Sequence, residues 1–308
     1  MPPAERWVLP GGEIHVRRHG STDPHAPAVV LVHGLGGSAL NWVSLMRAWG
    51  EEVTCLAVDL PGFGASPPRR DGDYSPRGHA RAVAESIDEW ALQRGVGIPV
   101  HVVGNSLGGA VSVHLAARRP DLVRSLTLVS PALPSYTVGR GNAHLPVVAV
   151  PGVGESLVRR YAAVPAAQRV QATFDACTAD PGRIDADVRA AIVEETMRRD
   201  GLPYARDAFL SSLRGLLATF ADAGPGRPWR LARQVRQPVL AIYGEQDILV
   251  SPRGASRAAR EFPDAEVALV ADCGHVAQME HPALVAQMWR TRFARAGLGA
   301  AGAHATPA

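Results

Sequence analysis

Six short apolar runs punctuate the chain, at 28–32, 53–58, 100–103, 125–129, 239–243 and 265–270, each bounded by turn-forming residues. Runs this short, with little polar alternation, fit strands buried on both faces. With helical patterns in the intervals, they predict a mostly parallel sheet covered on both sides. Ahead of them, 6–9 and 13–18 flank Pro10-Gly11-Gly12, which reads as an antiparallel hairpin at the sheet edge. With the hairpin the sheet comes to about eight strands. Helical patterns fall at 40–49, 76–92, 107–118, 252–260 and 282–293. Pro76, Pro252 and Pro282 suit first-turn positions, where a missing N–H costs nothing.

Between about Ala132 and Gln237 this rhythm stops. More than a hundred residues pass without a strand pattern, and helical patterns occur around 155–161, 165–177, 185–199 and 205–221. We therefore expect an α/β core built from 1–131 and 238–296, with a helical cap, or lid, inserted at 132–237. Both ends of the insertion return to strands, so it should lie over the carboxyl edge of the sheet, where open α/β folds bind ligands. The small, Gly- and Ala-rich stretch 297–308 is expected to be a disordered tail.

Composition narrows the classes. The 308 residues are 46% hydrophobic and 20% charged, which is ordinary for a globular chain with a sizeable core. Every basic residue is arginine, scattered singly or in pairs, and the formal net charge is only +3. Nucleic-acid binding would call for a clustered basic stripe and a recognisable motif, so no nucleic-acid partner is expected. No basic-then-apolar leader opens the chain and no run approaches 18 apolar residues, so neither a signal peptide nor a membrane span is expected and a cytoplasmic location is the default. Cys55, Cys177 and Cys273 are odd in number and widely spaced, which fits reduced thiols better than disulfides or a metal cluster. No His-Glu-x-x-His spacing occurs, and the Gly-rich run at 104–109 lacks Gly-x-Gly-x-x-Gly. Neither a metal nor a dinucleotide is expected, and no cofactor is needed.

The chemistry is suggested where the run 100–103 ends in Gly104-Asn105-Ser106-Leu107-Gly108 and a helical pattern follows at once. A serine on a tight strand-to-helix turn has its hydroxyl lifted clear of the sheet, so Ser106 is a candidate nucleophile. A serine needs a general base and a group to orient that base. Asp247 follows the run 239–243, and His275 follows the run 265–270. Both then occupy the same rim of the sheet as Ser106. Asp59 and Asp272 compete with Asp247 as the acid, and His33 is a second histidine near the rim. His101 and His114 read as strand and helix residues without a chemical task. Arg198-Arg199 reads as a solvated helix face or as a contact for an anionic substrate. Trp42, Phe63, Leu133 and Tyr136 read equally as core or as pocket lining.

Five segments together resemble the α/β-hydrolase superfamily across nearly the whole chain: Val32-His33-Gly34-Leu35-Gly36-Gly37-Ser38, Asp59-Leu60-Pro61-Gly62-Phe63-Gly64-Ala65-Ser66, Gly104-Asn105-Ser106-Leu107-Gly108, Gly244-Glu245-Gln246-Asp247 and Gly274-His275. The resemblance implies the α/β-hydrolase fold, with Ser106 as nucleophile, His275 as base and Asp247 as the acid that orients it. The backbone amides of Leu35 and Leu107 would form the oxyanion hole. It further implies hydrolysis of a small-molecule ester or other acyl substrate through an acyl-enzyme. Relatives that attack with a carboxylate, the epoxide hydrolases and haloalkane dehalogenases, differ at the position of Ser106. The runs 104–109 and 274–282 also look like the meta-cleavage product hydrolases, which cleave a carbon–carbon bond. Those enzymes often carry Trp immediately after the base histidine, where this chain has Val276. Acyl transfer and perhydrolysis run on the same triad, and some relatives use the fold only to bind a ligand.

Overall fold

The computed structural model describes residues 1–95, 98–134, 141 and 143–297. Eight strands form one sheet: β1 (Ala4–Leu9), β2 (Gly12–Gly20), β3 (Ala28–Val32), β4 (Thr54–Asp59), β5 (Val100–Asn105), β6 (Val123–Val129), β7 (Val239–Gly244) and β8 (Ala265–Val270). Their order is β1-β2-β4-β3-β5-β6-β7-β8. The β1–β2 and β2–β4 pairings are antiparallel, and every later pairing is parallel. This is the α/β-hydrolase fold that the motifs imply, and the N-terminal hairpin lies at one edge.

Alternate residues of each central strand enter opposite cores, as a sheet buried on both faces requires. On one face Val30, Val32, Leu56, Val58, Val102, Val239 and Ala241 meet α2 (Pro76–Arg94), α3 (Leu107–Arg118) and α10 (Gly254–Glu261). On the other, Val29, Leu31, Cys55, Ala57, Val103, Leu240 and Ile242 meet α1 (Val43–Trp49) and α12 (Pro282–Gly297). There Trp49 and Trp289 pack edge to face at 5.5 Å. Each such aliphatic side chain withdrawn from water contributes about 1.5–3 kcal/mol, so apolar burial on the two faces sets the register of the sheet.

Between β6 and β7 the described residues form α4 (Leu145–Val148), α5 (Val153–Ala162), α6 (Ala166–Cys177), α7 (Ala186–Asp200), α8 (Ala205–Ala221) and α9 (Pro228–Ala232). Four of these match the helical patterns in the sequence. The shorter α4 and α9 were not expected, because one turn carries too few apolar positions to show a period. Pro252 also stands outside its helix: α10 begins at Gly254, and Pro252 instead accepts a turn bond from the Ala255 amide through its carbonyl. The last helix, α12, takes in Gly297, the first residue of the tail expected at 297–308, and the rest of that stretch lies outside the described residues.

α9 leaves the other inserted helices and rejoins the core: Trp229, Leu231, Ala232 and Val235 are buried with the α3 side of the sheet. A third apolar cluster ties α6 and α7 to the rim through Val170, Phe174, Ile184 and Val188 on one side and Leu40, Val43, Val276 and Met279 on the other. Among the described residues no helix is long and apolar enough to cross a membrane.

Besides His275, four histidines are buried among the described residues. Burial pulls His33 down to about 3 and His79, His101 and His114 down to about 4. They are neutral in the folded chain at neutral pH, whereas in the unfolded chain they protonate near 6.5. Between pH 6.5 and 4 the unfolded state therefore binds more protons, and stability falls as pH falls through that window. Thermal midpoints measured from pH 7 to 4 should drop progressively. His114→Leu should make the drop shallower, since neither ring nitrogen of His114 has a hydrogen-bond partner to lose.

Candidate active site

Strand order decides where the rim opens. From β3 the chain crosses to β4 on one side, and from β4 it returns to β5 on the other, so the loops after β3 and β5 part at their carboxyl ends. A crevice at such a switch point is the usual binding place in an open α/β sheet. Here the loop beginning at His33 meets the turn at Ser106. A Cβ placed on Gly34 would stand 3.1 Å from the Ser106 Cβ.

Ser106 joins β5 to α3 with no intervening loop and takes φ 55, ψ −118, a conformation that side chains other than glycine's rarely adopt. Its backbone is held on both sides: its N–H donates to Val129 O at 3.1 Å, and its carbonyl accepts from Gly109 and Ala132 at 2.9 Å each. The turn fits only because its neighbours lack side chains. A Cβ on Gly108 would collide with the Val32 carbonyl, and one on Gly104 with the Gly108 carbonyl. Leu107 opens α3, so its amide precedes any helical carbonyl that could accept it.

Asp247 and His275 are brought together. Nδ1 of His275 donates to Oδ2 of Asp247 at 2.8 Å, with both side chains buried. The other carboxylate oxygen of Asp247 accepts from the amides of Leu249 at 2.8 Å and Val250 at 2.9 Å. Burial alone would push this carboxyl up. The His275 ring beside it and the Val250 amide more than reverse that, and its pKa is lowered. Asp247 is therefore a carboxylate, and the tautomer of His275 with hydrogen on Nδ1 leaves Nε2 free to accept a proton.

Asn105, the neighbour of Ser106, ties the two loops: its Nδ2 donates to His275 O at 3.0 Å and to Val129 O at 3.1 Å. The loop of His275 is held from the Asp247 side as well, where the Gln246 amide donates to Cys273 O at 3.0 Å.

The competing residues have other partners. Asp272 is exposed, with φ 52, and pairs with Arg183. Asp59 accepts from the Ala39 amide at 2.7 Å and the Ala65 amide at 2.9 Å, joining the loops after β3 and β4. His33 donates from Nδ1 to Gly34 O at 2.8 Å and accepts the Leu60 amide on Nε2 at 2.9 Å, so both nitrogens are occupied in holding the rim. His101 bonds Ser125 at 2.6 Å on the sheet. Trp42 and Phe63 are fully buried and Leu133 nearly so, whereas Tyr136 lies outside the described residues.

Arg199 departs from the solvated helix face that its neighbours in sequence suggest. It reaches from α7 into the site, where its Nη1 donates to Gly36 O at 2.8 Å, next to Leu35. Arg198 donates to Gly64 O at 2.5 Å. Glu195, one helical turn earlier, lies close to Asp59. Burial pushes both carboxyls up, and for Glu195 the nearby Asp59 charge adds to the shift. Composition and period do not distinguish a half-buried arginine that reaches the rim from an exposed one on a helix that is polar for most of its circumference. Only the position of α7 above the rim does.

A family model described as "alpha/beta hydrolase fold" matches residues 27–282, and the chain belongs to that family. Among curated relatives it is 30% identical over 256 residues to the dihydrolipoyllysine-residue acetyltransferase component of the acetoin cleaving system of Cupriavidus necator. That match covers 83% of this chain and only 60% of that protein's length. It is 28% identical over 278 residues to 2-hydroxy-6-oxononadienedioate/2-hydroxy-6-oxononatrienedioate hydrolase of Pseudomonas sp., covering 88% of each. It is 29% identical over 259 residues to pimeloyl-[acyl-carrier protein] methyl ester esterase of Nitrosospira multiformis, covering 83% of this chain and 90% of that one.

Replacing Asn105 by Ala removes the donor that His275 O uses in a buried position. Urea denaturation should show a loss of about 1–3 kcal/mol. An unchanged midpoint would mean that the two loops hold together without this bond.

Proposed function

We propose that the chain is a cofactor-independent serine hydrolase that cleaves carboxylic esters through an acyl-enzyme. The observation that carries the reading is the buried Asp247–His275 pair, joined through Asn105 to the strained turn that bears Ser106. Ser106 Oγ adds to the ester carbonyl carbon as Nε2 of His275 takes its proton. The imidazolium so formed faces the Asp247 carboxylate. The oxyanion accepts hydrogen bonds from the amides of Leu35 and Leu107, each worth about 3 kcal/mol in a site closed to water. Collapse breaks the bond to the leaving oxygen, which takes the proton from His275 and departs as an alcohol. Water then enters by the same route: His275 takes its proton, hydroxide adds to the acyl carbon, and Ser106 leaves with the proton returned.

The α4–α8 segment acts as a cap in this reading, and its contacts through Arg199 and Arg198 to the two rim loops support that role. A small-molecule acyl substrate would bind beneath it. The three free thiols fit a cytoplasmic setting.

Carbon–carbon hydrolysis is the second reading. It is favoured by the match to the nonadienedioate hydrolase along most of both chains. Val276 at the position after His275 weighs against it.

Ser106→Ala and His275→Ala should each abolish turnover of a short-chain aryl ester, and Asp247→Asn should lower kcat by about 10⁴-fold. A fluorophosphonate should label the unaltered protein at Ser106, and a purely ligand-binding protein would not react. A panel of acyl esters with one ring-fission dienoate separates the readings. Faster consumption of the dienoate would displace the ester assignment.

A further inference from the structure

His275 is fixed from a direction that the proposed mechanism leaves unused. Its backbone N–H donates to Cys177 O at 2.6 Å, at the end of α6. Two and three residues beyond Cys177, the same segment makes a second contact. Glu280 closes the short helix α11 (Ala277–Glu280) and is 5% exposed. One of its oxygens accepts from the amides of Ala179 at 2.8 Å and Asp180 at 3.2 Å. The other accepts from the amide of Gly274 at 2.7 Å and faces the Cys273 thiol at 3.8 Å.

These partners are all donors, so the acceptor-only carboxylate fits the position and an amide does not. A glutamine would turn its NH2 group against one or another of these N–H groups. The Gly274 N–H belongs to the peptide that joins Cys273 to Gly274, one residue before the Gly274–His275 peptide whose N–H donates to Cys177 O. Tilting the first of these planes turns the Gly274 Cα that carries the second, and so swings the imidazole away from Asp247 Oδ2. Nor can the loop relax towards α6, because a Cβ on Gly274 would already come within 2.5 Å of Cys177 O.

We propose that Glu280 is a positioning residue for His275, through which the α6–α7 connection of the inserted segment fixes where the imidazole stands. The proposal rests on the Ser106, His275 and Asp247 reading. Glu280 does not touch the substrate. It sets the plane of the Cys273–Gly274 peptide, one residue before the peptide that carries His275, and movement of the α6–α7 connection reaches the chemistry through it. Misplacing a reacting group by about 1 Å can cost on the order of 10²-fold in rate.

The test compares E280Q and E280D with S106A and H275A in the full chain, following aryl-ester kinetics, fold by circular dichroism, and the low-field proton signal of the His275–Asp247 hydrogen bond. E280Q should fold, lose about 10–100-fold in kcat with little change in KM, and broaden or lose the low-field signal. E280D, which keeps the charge on a shorter arm, should recover part of kcat. Should E280Q fail to fold, the kcat and low-field signal of E280D decide the matter. A folded variant with unaltered kcat and signal, or one whose loss lies in KM alone, overturns the proposal. If S106A and H275A are inactive while E280Q matches the unaltered protein, only the role of Glu280 falls. Full turnover by S106A overturns the triad reading and this inference together.

Discussion

The rim of this protein is organised by the passage from β5 into α3 without a loop. A residue other than glycine held at positive φ costs on the order of 1–3 kcal/mol and persists only where its surroundings leave it no alternative. Here the surroundings are β6, which receives the Ser106 amide at Val129, and the return chain at Ala132, which binds the Ser106 carbonyl. The glycines at 104 and 108 let the backbones of β3, β5 and α3 approach to distances that a methyl group would forbid. The strain is thus supported by the central strands of the sheet, the part most completely withdrawn from water. The hydroxyl it presents is therefore carried by the buried centre of the sheet.

The second tier is a set of loops that hold one another. Asp59 binds the loop after β3 to the loop after β4, and His33 repeats the link through Leu60. Asn105 and Gln246 fasten the loop of His275 to the turn of Ser106 and to the loop of Asp247. Most of these bonds pair a side chain with a backbone group, and each is modest in water-exposed terms. Buried, they become costly to leave unmade, so several loops without regular structure keep one arrangement. The helices between β6 and β7 join this lattice at two places, through Arg199 at Gly36 and through Cys177 at His275.

Much of this was legible in the sequence. The runs 28–32 and 265–270 coincide with β3 and β8, and the patterns 107–118 and 205–221 coincide with α3 and α8, because burial on two faces or along one stripe imposes a period that composition displays. The segments around Ser106, Asp247 and His275 could be picked out because each follows a strand and carries the glycines of a tight turn. For Arg199 the sequence left a solvated face and an anion contact open and gave no sign of the Gly36 carbonyl, since the α7 pattern shows a mainly polar helix and says nothing of what stands beside it. Glu280 was in plain view within the run 274–282 yet carried no signal. A carboxylate that binds backbone amides has partners with no sequence identity to match.

What the sequence determined alone was therefore everything governed by local period and turn chemistry: the strands, the longer helices, the strained serine turn and the order of the rim loops. The tertiary structure decided which side chains meet across those loops. It chose Asp247 over Asp272 as the partner of the His275 ring, turned Arg199 in to the Gly36 carbonyl, and set Glu280 between the α6–α7 connection and the loop of His275. The physical reason is distance along the chain. Apolar period and glycine placement are written within a few neighbouring residues, whereas a hydrogen bond between loops 28 to 163 positions apart exists only once the sheet has brought them to one edge.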